Sequence, residues 1–301
     1  MIIPEFEQGD AIPRILHQVF FGGRDGVGMP SAIRDNVDRI GANNPGWERR
    51  LYDDSAIEQF IGRVYGADVL REYERIDPRY AAARVDLFRY LLLYRTGGIY
   101  LDIKSTATRP LDDIARDGQP FALAQWQSGQ GGRHEGWGFH PELAHVPGGE
   151  FQQFHIIAAP GHPFLQAAAL RVLDNIARYR PWHGGVGKQG VLRTTGPIAY
   201  TLAIAPLLAT VPHRRFGDER EIGLIYNVLG EGKHRGIFKT HYALNAAPIV
   251  VRTGAARVID LLYTLPIRLF YAFLAVKARV GVRVRAHPEL ARALARIGII
   301  K

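Results

Sequence analysis

The sequence contains no cysteine among its 301 residues, which excludes disulfide bonds and thiolate metal ligands. The first ten residues, MIIPEFEQGD, lack a basic flank followed by an apolar run, and we therefore expect neither a signal peptide nor a membrane anchor there. Internal repeats and long low-complexity linkers are also missing. These absences are typical of a cytoplasmic globular protein that is long enough to bury a sizeable core.

Acidic residues are scarce at the C-terminus. Residues 251–301 contain ten Lys and Arg but only Asp260 and Glu289, so this segment carries +8 of the net charge of +9. The positive charge is thus concentrated outside the main body, and the chain has no aromatic-basic pattern of a nucleic-acid-binding module. We place a domain boundary near residue 250, between a main domain (1–250) and a basic, apolar, helical extension (251–301).

The extension itself allows two interpretations. Residues 258–276 are strongly apolar, but Asp260, Pro266 and Arg268 interrupt them and argue against a transmembrane span. Residues 255–301 either lie as an amphipathic segment on an anionic membrane surface or pack on the protein itself.

Residues 77–104 combine a helix, a double-glycine turn and a strand. Asp77-Pro78 is a typical helix start, and the Ala- and Leu-rich run over 79–95 predicts a helix that Gly97-Gly98 ends. Apolar residues then alternate over 99–103, which predicts a strand with Tyr100, Asp102 and Lys104 on one face. Similar patterns predict other strands near residues 14–20, 49–52, 121–126 and 153–158, and helices near 55–61 and 163–179.

The predicted helix carries its few charges at informative positions. Asp86 and Arg89 lie three residues apart and share one face. Together with Arg84 they are the only charges in residues 81–93, so much of this helix should be buried, where charges need partners or a ligand. The alternatives are simple local ion pairs, between Asp86 and Arg89 and between Asp102 and Lys104.

The motif in this region resembles that of glycosyltransferase family 32. The family pattern is roughly SDxxRYxxLYxxGGxYxDxD, and this chain supplies Asp86, Arg89, Tyr90, Leu93, Tyr94, Gly97, Gly98, Tyr100 and Asp102 in the same register. Upstream, IPRILHQVFFG (12–22) resembles the family's IPKIIHQIWFG opening. The similarity extends over residues 11–245 and, more distantly, to the glucosylating clostridial toxins. It implies an α/β GT-A fold, a Rossmann-like mixed sheet flanked by helices.

The resemblance also implies an activity and a set of site residues. Family members are retaining transferases, so we expect transfer of a hexose from a UDP- or GDP-linked sugar to a glycan or lipid-linked saccharide, in the synthesis of a bacterial surface polysaccharide such as lipopolysaccharide or capsule. A noncatalytic protein that binds a nucleotide-sugar or glycan at the membrane surface is the alternative, and a membrane-interface scaffold is a third. The implied donor-binding residues are His17, Asp86, Arg89, Tyr100, Asp102 and His241, with Asp102 and Lys104 as catalytic residues.

Lys104 departs from the family motif, which has a second aspartate at this position. That aspartate ligates a divalent cation, Mn²⁺ or Mg²⁺, whereas an ammonium cannot ligate a metal. Either Lys104 replaces the cation and neutralises the leaving diphosphate, or Asp102 holds the metal with waters and another carboxylate. The sequence leaves both interpretations open.

Two further features lie between residues 126 and 162. The glycine-rich run 128–138 lacks the lysine and hydroxyl of a phosphate-binding loop, and we interpret it as an acceptor-side loop in which Trp126 or Trp137 stacks on a sugar. Five histidines from His134 to His162 follow no metal-ligand spacing, and loop histidines are expected there. The expected location is the cytoplasm, peripheral on the inner face of the membrane.

Overall fold

A mixed sheet of six strands forms the centre of the protein. The computed structural model describes residues 3–21, 28–115, 118–228 and 245–286, and in the last helix it describes the side chains as far as residue 270. The strands are β1 (Ile15–Val19), β2 (Glu48–Tyr52), β3 (Gly98–Leu101), β4 (Thr106–Ala107), β5 (Phe121–Ala124), β6 (His155–Ala158), β7 (Arg214–Phe216) and β8 (Leu224–Ile225). The order in the large sheet is β2-β1-β3-β6-β5-β7, and β4 pairs with β8 in a separate ribbon.

Strand direction places several strand ends at one edge of the sheet. β1 runs parallel to β2 and to β3, whereas β6 runs antiparallel to β3 and β5. The carboxyl ends of β1, β2 and β3 therefore share one edge, which is where parallel α/β sheets bind ligands.

Helices cover both faces of this sheet. They are α1 (Ser31–Ala42), α2 (Asp54–Glu74), α3 (Ala81–Thr96), α4 (Leu111–Ala115), α5 (Pro163–Ala177), α6 (Pro181–Gly184), α7 (Gly187–Thr194), α8 (Pro197–Ile204) and α9 (Gly254–Ala286). Short 3₁₀ turns occupy Pro78–Tyr80, Pro141–Leu143 and Ala205–Leu207.

Alternate residues of β3 enter different hydrophobic clusters. Tyr100, opposite Ile156, belongs to the large core formed with α2, α3, α5 and α8, while Ile99, opposite Ile157, belongs to a smaller core beside α1 and α4. This is the two-residue period of a strand that is covered on both faces. The predicted α/β class, a Rossmann-like mixed sheet flanked by helices, is confirmed.

The predicted helix and strand around the double glycine are present. The carboxylate of Asp77 accepts a hydrogen bond from the Arg79 amide at 2.9 Å and starts the 3₁₀ turn that leads into α3. The strand is shorter than predicted: it ends at Leu101, because Asp102 opens a turn that is closed by the Ser105 amide, 2.8 Å from the Asp102 carbonyl. The predicted common face therefore does not extend to Lys104.

The C-terminal helix, α9, begins at Gly254 with residues 245–252 held against the body. The Asp77 amide donates to the carbonyl of Ile249 at 2.8 Å, and the Val251 amide donates to the carbonyl of Arg75 at 2.8 Å. None of the helices in the described part of the chain is both long and apolar enough to cross a membrane.

Candidate functional site

The double glycine brings α3 and β3 close together. A Cβ atom on Gly98, whose φ is 103°, would lie 2.6 Å from the carbonyl oxygen of Ile15 and 3.0 Å from the imidazole of His17. Only glycine fits this position without strain. The turn thus leads directly from α3 into β3, and Asp102 follows the end of that strand.

His17 supports this turn from β1. Its imidazole lies 2.9 Å from the Tyr52 hydroxyl through Nδ1 and 3.0 Å from the Gly97 carbonyl through Nε2, and it is fully buried. Burial disfavours the charged form and lowers the pKa of His17 to about 3. The ring is therefore neutral and packed; a direct contact with a nucleotide stays a prediction.

Arg89 is the centre of a buried charge cluster. Its guanidinium pairs with Asp86 one turn earlier on α3, and the two side chains are 6% and 3% exposed. The same guanidinium lies 3.3 Å from Asp102 Oδ1 and donates to the Gln153 carbonyl at 2.7 Å. Burial opposes the charge on Arg89, but Tyr100 and Asp102 outweigh it and raise its pKa. Arg89 is thus a permanent cation behind the strand edge.

Thr195 and Gln153, neither of which was predicted as a site residue, complete the cluster. The Thr195 hydroxyl donates to Asp86 Oδ2 at 2.8 Å, and the Gln153 amide lies 3.4 Å from Asp86 Oδ1. Tyr90, on the next position of α3 after Arg89, bonds to the Gln153 side chain and to the Thr195 carbonyl, the latter at 3.1 Å. Gln153 precedes β6 and Thr195 follows α7, so only the fold brings them to α3.

Asp102 presents a partly exposed carboxylate at the end of β3. Tyr100 donates to its Oδ1 at 3.0 Å, and Arg89 approaches the same oxygen. Its side chain is 25% exposed, whereas those of Asp86 and Arg89 are almost fully buried. Asp102 is therefore the member of the cluster that can meet a ligand from solvent.

Lys104 is held separately, by an aromatic residue from a distant part of the chain. Its ammonium donates to the Tyr226 hydroxyl at 2.9 Å and lies 4.3 Å from the centre of that ring. The Tyr226 carbonyl accepts from the Ser105 hydroxyl at 2.5 Å, and the Val228 amide donates to the Lys104 carbonyl at 3.0 Å. These contacts fix the cation two residues beyond Asp102 rather than in an ion pair with it.

Trp126 and Trp137, the two tryptophans proposed for the acceptor side, both pack near Tyr226. The Tyr226 ring packs edge-on against Trp126 at 5.3 Å and lies 6.2 Å from Trp137. Trp126 Nε1 donates a hydrogen bond to the Glu150 carboxylate at 2.8 Å, whereas Trp137 is 40% exposed. An exposed indole beside a fixed cation is a suitable platform for a sugar ring.

A divalent cation fits this set of side chains poorly. Asp102 Oδ1 already accepts from Tyr100 and approaches Arg89, the Asp86 carboxylate is paired, and position 104 is an ammonium. Among the residues that the structure describes, no group of three or more His, Cys, Asp or Glu side chains is arranged to hold a metal. Position 104 thus offers a positive charge but no metal ligand.

Several histidines between residues 134 and 162 contact other parts of the protein. His134 lies 3.3 Å from Glu219, and His140 lies 2.8 Å from Glu150. His155 lies on β6, which corrects the expectation of a loop histidine, and burial lowers its pKa to about 3. His162 caps α5. His241 lies outside the described residues, so its role stays a prediction.

Two open clefts flank β2 rather than Asp102. One, of about 790 Å³, is lined by polar and basic side chains that include Arg50, Arg63 and Arg95. The other, of about 550 Å³, lies between β2 and α1 and includes Gln18, whose buried Nε2 has no partner among the described residues. An unpaired buried donor beside a cleft is a candidate contact for a ligand.

Comparison with known proteins agrees with the motif. The glycosyltransferase sugar-binding region containing a DXD motif matches residues 31–120. The stretch from residue 31 to residue 120 is thus similar to a glycosyltransferase sugar-binding region. The matched span runs from α1 through α4 and includes Asp86, Arg89, Asp102 and Lys104, so the resemblance to DXD-type glycosyltransferases is confirmed.

Curated proteins similar to this chain include two fungal mannosyltransferases. An initiation-specific alpha-1,6-mannosyltransferase of Candida albicans is 24% identical over 173 residues, which cover 56% of this chain and 44% of that protein. Inositol phosphoceramide mannosyltransferase 3 of Schizosaccharomyces pombe is 29% identical over 172 residues, covering 57% of this chain and 39% of that protein. The chain thus spans less than half the length of these relatives.

Solved glycosyltransferase structures also align with this chain. The PaToxG glycosyltransferase covers 87% of this chain and 88% of its own length, with 14% identity and a TM-score of 0.46. The UDP-bound glycosyltransferase domain of the YGT toxin covers 73% and 82%, with 9% identity and a TM-score of 0.48.

Proposed function

We propose that the protein is a retaining glycosyltransferase that moves a hexose from a nucleotide-sugar to a glycan or lipid-linked saccharide. The observation that carries the proposal is that a ligand-accessible carboxylate, Asp102, lies two residues before the fixed cation of Lys104 at the carboxyl edge of β3. A carboxylate accepts hydrogen bonds from sugar hydroxyls, and a cation binds a diphosphate. The buried Asp86–Arg89 pair holds Asp102 in position from behind.

GDP-mannose is the first donor to test. Two relatives are named as mannosyltransferases, although each is matched over less than half of its length. UDP-linked hexoses remain in the proposal, because sugar epimers differ only in the direction of one hydroxyl and the motif does not distinguish them.

The charges are arranged for departure of the diphosphate. In the transfer, the bond between the anomeric carbon and the diphosphate oxygen breaks, and the acceptor oxygen bonds to the same carbon on the same face. The acceptor proton passes to the departing phosphate, so no separate protein base is assigned. Lys104 offsets the negative charge that develops on the leaving group, and its contacts with Tyr226 fix it before reaction begins.

We place the nucleoside in the 550 Å³ cleft between β2 and α1. Ile103, between Asp102 and Lys104, packs against the hydrophobic cluster that contains Met29 and Val37, and both of these residues also line that cleft. The cleft therefore adjoins the turn that carries the site. The amide nitrogen of Gln18, which has no partner among the described residues, offers a donor to a base carbonyl or ribose hydroxyl.

The proposed biological setting is surface polysaccharide synthesis in bacteria, as lipopolysaccharide or capsule, on the cytoplasmic side of the membrane. Trp137 would stack on the acceptor beside the donor sugar. Its exposed ring and its position next to Tyr226 support an acceptor site on this side of Lys104.

A donor panel tests the proposal. Purified protein is mixed with GDP-mannose and with several UDP-hexoses, each with Mn²⁺ and with EDTA, and released nucleoside diphosphate is measured for the wild type and for Lys104→Asp. We expect slow donor hydrolysis by the wild type that survives EDTA, and activity of Lys104→Asp that requires Mn²⁺.

Each contrary result has a definite meaning. Wild-type activity that EDTA abolishes would show that Asp102 and other ligands still hold a metal, and the role given to Lys104 would be wrong. Binding of a donor without turnover under any condition would overturn the proposed transfer. It would favour the noncatalytic nucleotide-sugar-binding alternative, which is based on the presence of Lys104 where the family motif has an aspartate.

A further inference from the structure

The helix α9 packs on the body through a polar stripe. Asp260 and Thr264, four residues apart, are almost fully buried, and Arg252 donates to Asp260 at 2.6 Å. Trp182, on α6, lies beneath the Arg252 guanidinium at 5.6 Å and contacts Tyr263 ring to ring at 5.8 Å. A helix that buries an ion pair and a threonine against its own protein has its apolar face directed elsewhere.

The opposite face of α9 is apolar and exposed. Val258, Leu262, Leu265 and Leu269 follow one another at spacings of four, three and four residues, which places them on one stripe. Their exposed fractions range from 46% to 64%. The stripe lies about half a turn away from Asp260 and Thr264, so no packing on the described body covers it. An apolar stripe of this length marks an interaction surface.

Basic residues border this stripe. Arg257 and Arg268 are exposed beside it, and the later turns of the helix add Lys277, Arg279, Arg283 and Arg285 in the sequence. The one acidic residue of the helix, Asp260, is buried and neutralised by Arg252. We propose that α9 lies in the interface of an anionic lipid bilayer, with its apolar stripe among the acyl chains and its basic residues at the headgroups.

Charge decides between a lipid surface and a second copy of this chain. Residues 251–301 carry a net charge of +8, so two such segments placed face to face would repel each other. An anionic membrane attracts the same segment and accepts its leucines. This inference goes beyond the transfer activity and does not depend on it.

Vesicle sedimentation of the full chain tests the inference. The wild type is mixed at low salt with phosphatidylcholine vesicles, with and without phosphatidylglycerol, and the pelleted fraction is measured. We expect binding only to the anionic vesicles and release by salt. The double variant Leu262→Ser/Leu269→Ser should weaken binding by about tenfold or more, and Arg257→Gln/Arg268→Gln by a similar factor.

Two control variants remove the same kinds of side chain elsewhere. Phe139→Ser removes an apolar side chain that is 56% exposed, and Arg178→Gln removes an exposed arginine at the C-terminal end of α5. Both should bind vesicles like the wild type, and circular dichroism should show all variants folded. Equal loss in the controls, wild-type binding by the leucine variant, or no binding to anionic vesicles would overturn the inference. Self-association that the leucine variant abolishes, without vesicle binding, would instead identify a dimer interface.

Discussion

Replacing Arg89 with methionine should strongly destabilise the fold. The substitution keeps the apolar stem of the side chain but leaves the Asp86 carboxylate, 3% exposed, with no countercharge and with only Thr195 and Gln153 as hydrogen-bond partners. The Gln153 carbonyl also loses its donor at 2.7 Å. Removing one member of a buried ion pair typically costs about 3–5 kcal/mol, and we expect an effect of that size.

Urea unfolding at neutral pH measures this effect. The matched control is Arg95→Met on the same helix, where the guanidinium is exposed and lies 4.8 Å from the Phe6 ring. Its loss should cost less than about 1 kcal/mol. Replacing both partners, as Asp86→Leu/Arg89→Met, should recover part of the stability because no charge is then left unpaired. If Arg89→Met is no more destabilising than Arg95→Met, the buried cluster does not have the energetic role inferred from its geometry.

Three further results are expected. Gly98→Ala should destabilise by roughly 3 kcal/mol or more, measured by urea unfolding, because its Cβ would meet the Ile15 carbonyl at 2.6 Å; Gly66→Ala, with a similar positive φ but open space, should cost only about 1–2 kcal/mol. Since the folded pKa of His155, about 3, lies below the ordinary value, the stability from its neutral ring is present above pH 6.5 and is lost as the pH falls toward 3. His155→Gln should therefore reduce the loss of stability on acidification by up to about 1.4 kcal/mol per pH unit, measured by urea unfolding between pH 7 and pH 4. Trp137→Ala should raise the acceptor KM without changing donor hydrolysis; an equal effect on both would remove Trp137 from the acceptor side.

Local signals were sufficient to predict the framework of the site. The helix start at Asp77-Pro78, the double glycine and the alternation after it depend on backbone preferences within a few residues. For that reason α3 and β3 were predicted nearly at their observed bounds. Helical spacing also offered the Asp86–Arg89 ion pair, as the alternative to contacts with a ligand.

Contacts between distant segments were not predictable from the same signals. Thr195 reaches Asp86 across 109 residues, and Tyr226 reaches Lys104 across 122 residues, and neither residue was predicted as part of the site. The strand was predicted two residues too long, because the apolar Ile103 continued the strand pattern although it packs against a third cluster beside α1. The helix α2 was predicted too short: Gly66 kinks it with a φ of 81°, but the helix continues to Glu74.

Turnover by an Asp102→Asn variant is the most direct test of the central claim, that the carboxylate at the end of β3 takes part in sugar transfer. Release of nucleoside diphosphate from the donor that the wild type hydrolyses fastest is measured for three proteins: the wild type, Asp102→Asn and the exposed control Asp68→Asn. We predict that Asp102→Asn lowers activity by about 100-fold or more, while its free energy of unfolding stays within about 1 kcal/mol of the wild type. Asp68→Asn should have normal activity. Activity of Asp102→Asn within a few-fold of the wild type would contradict the account.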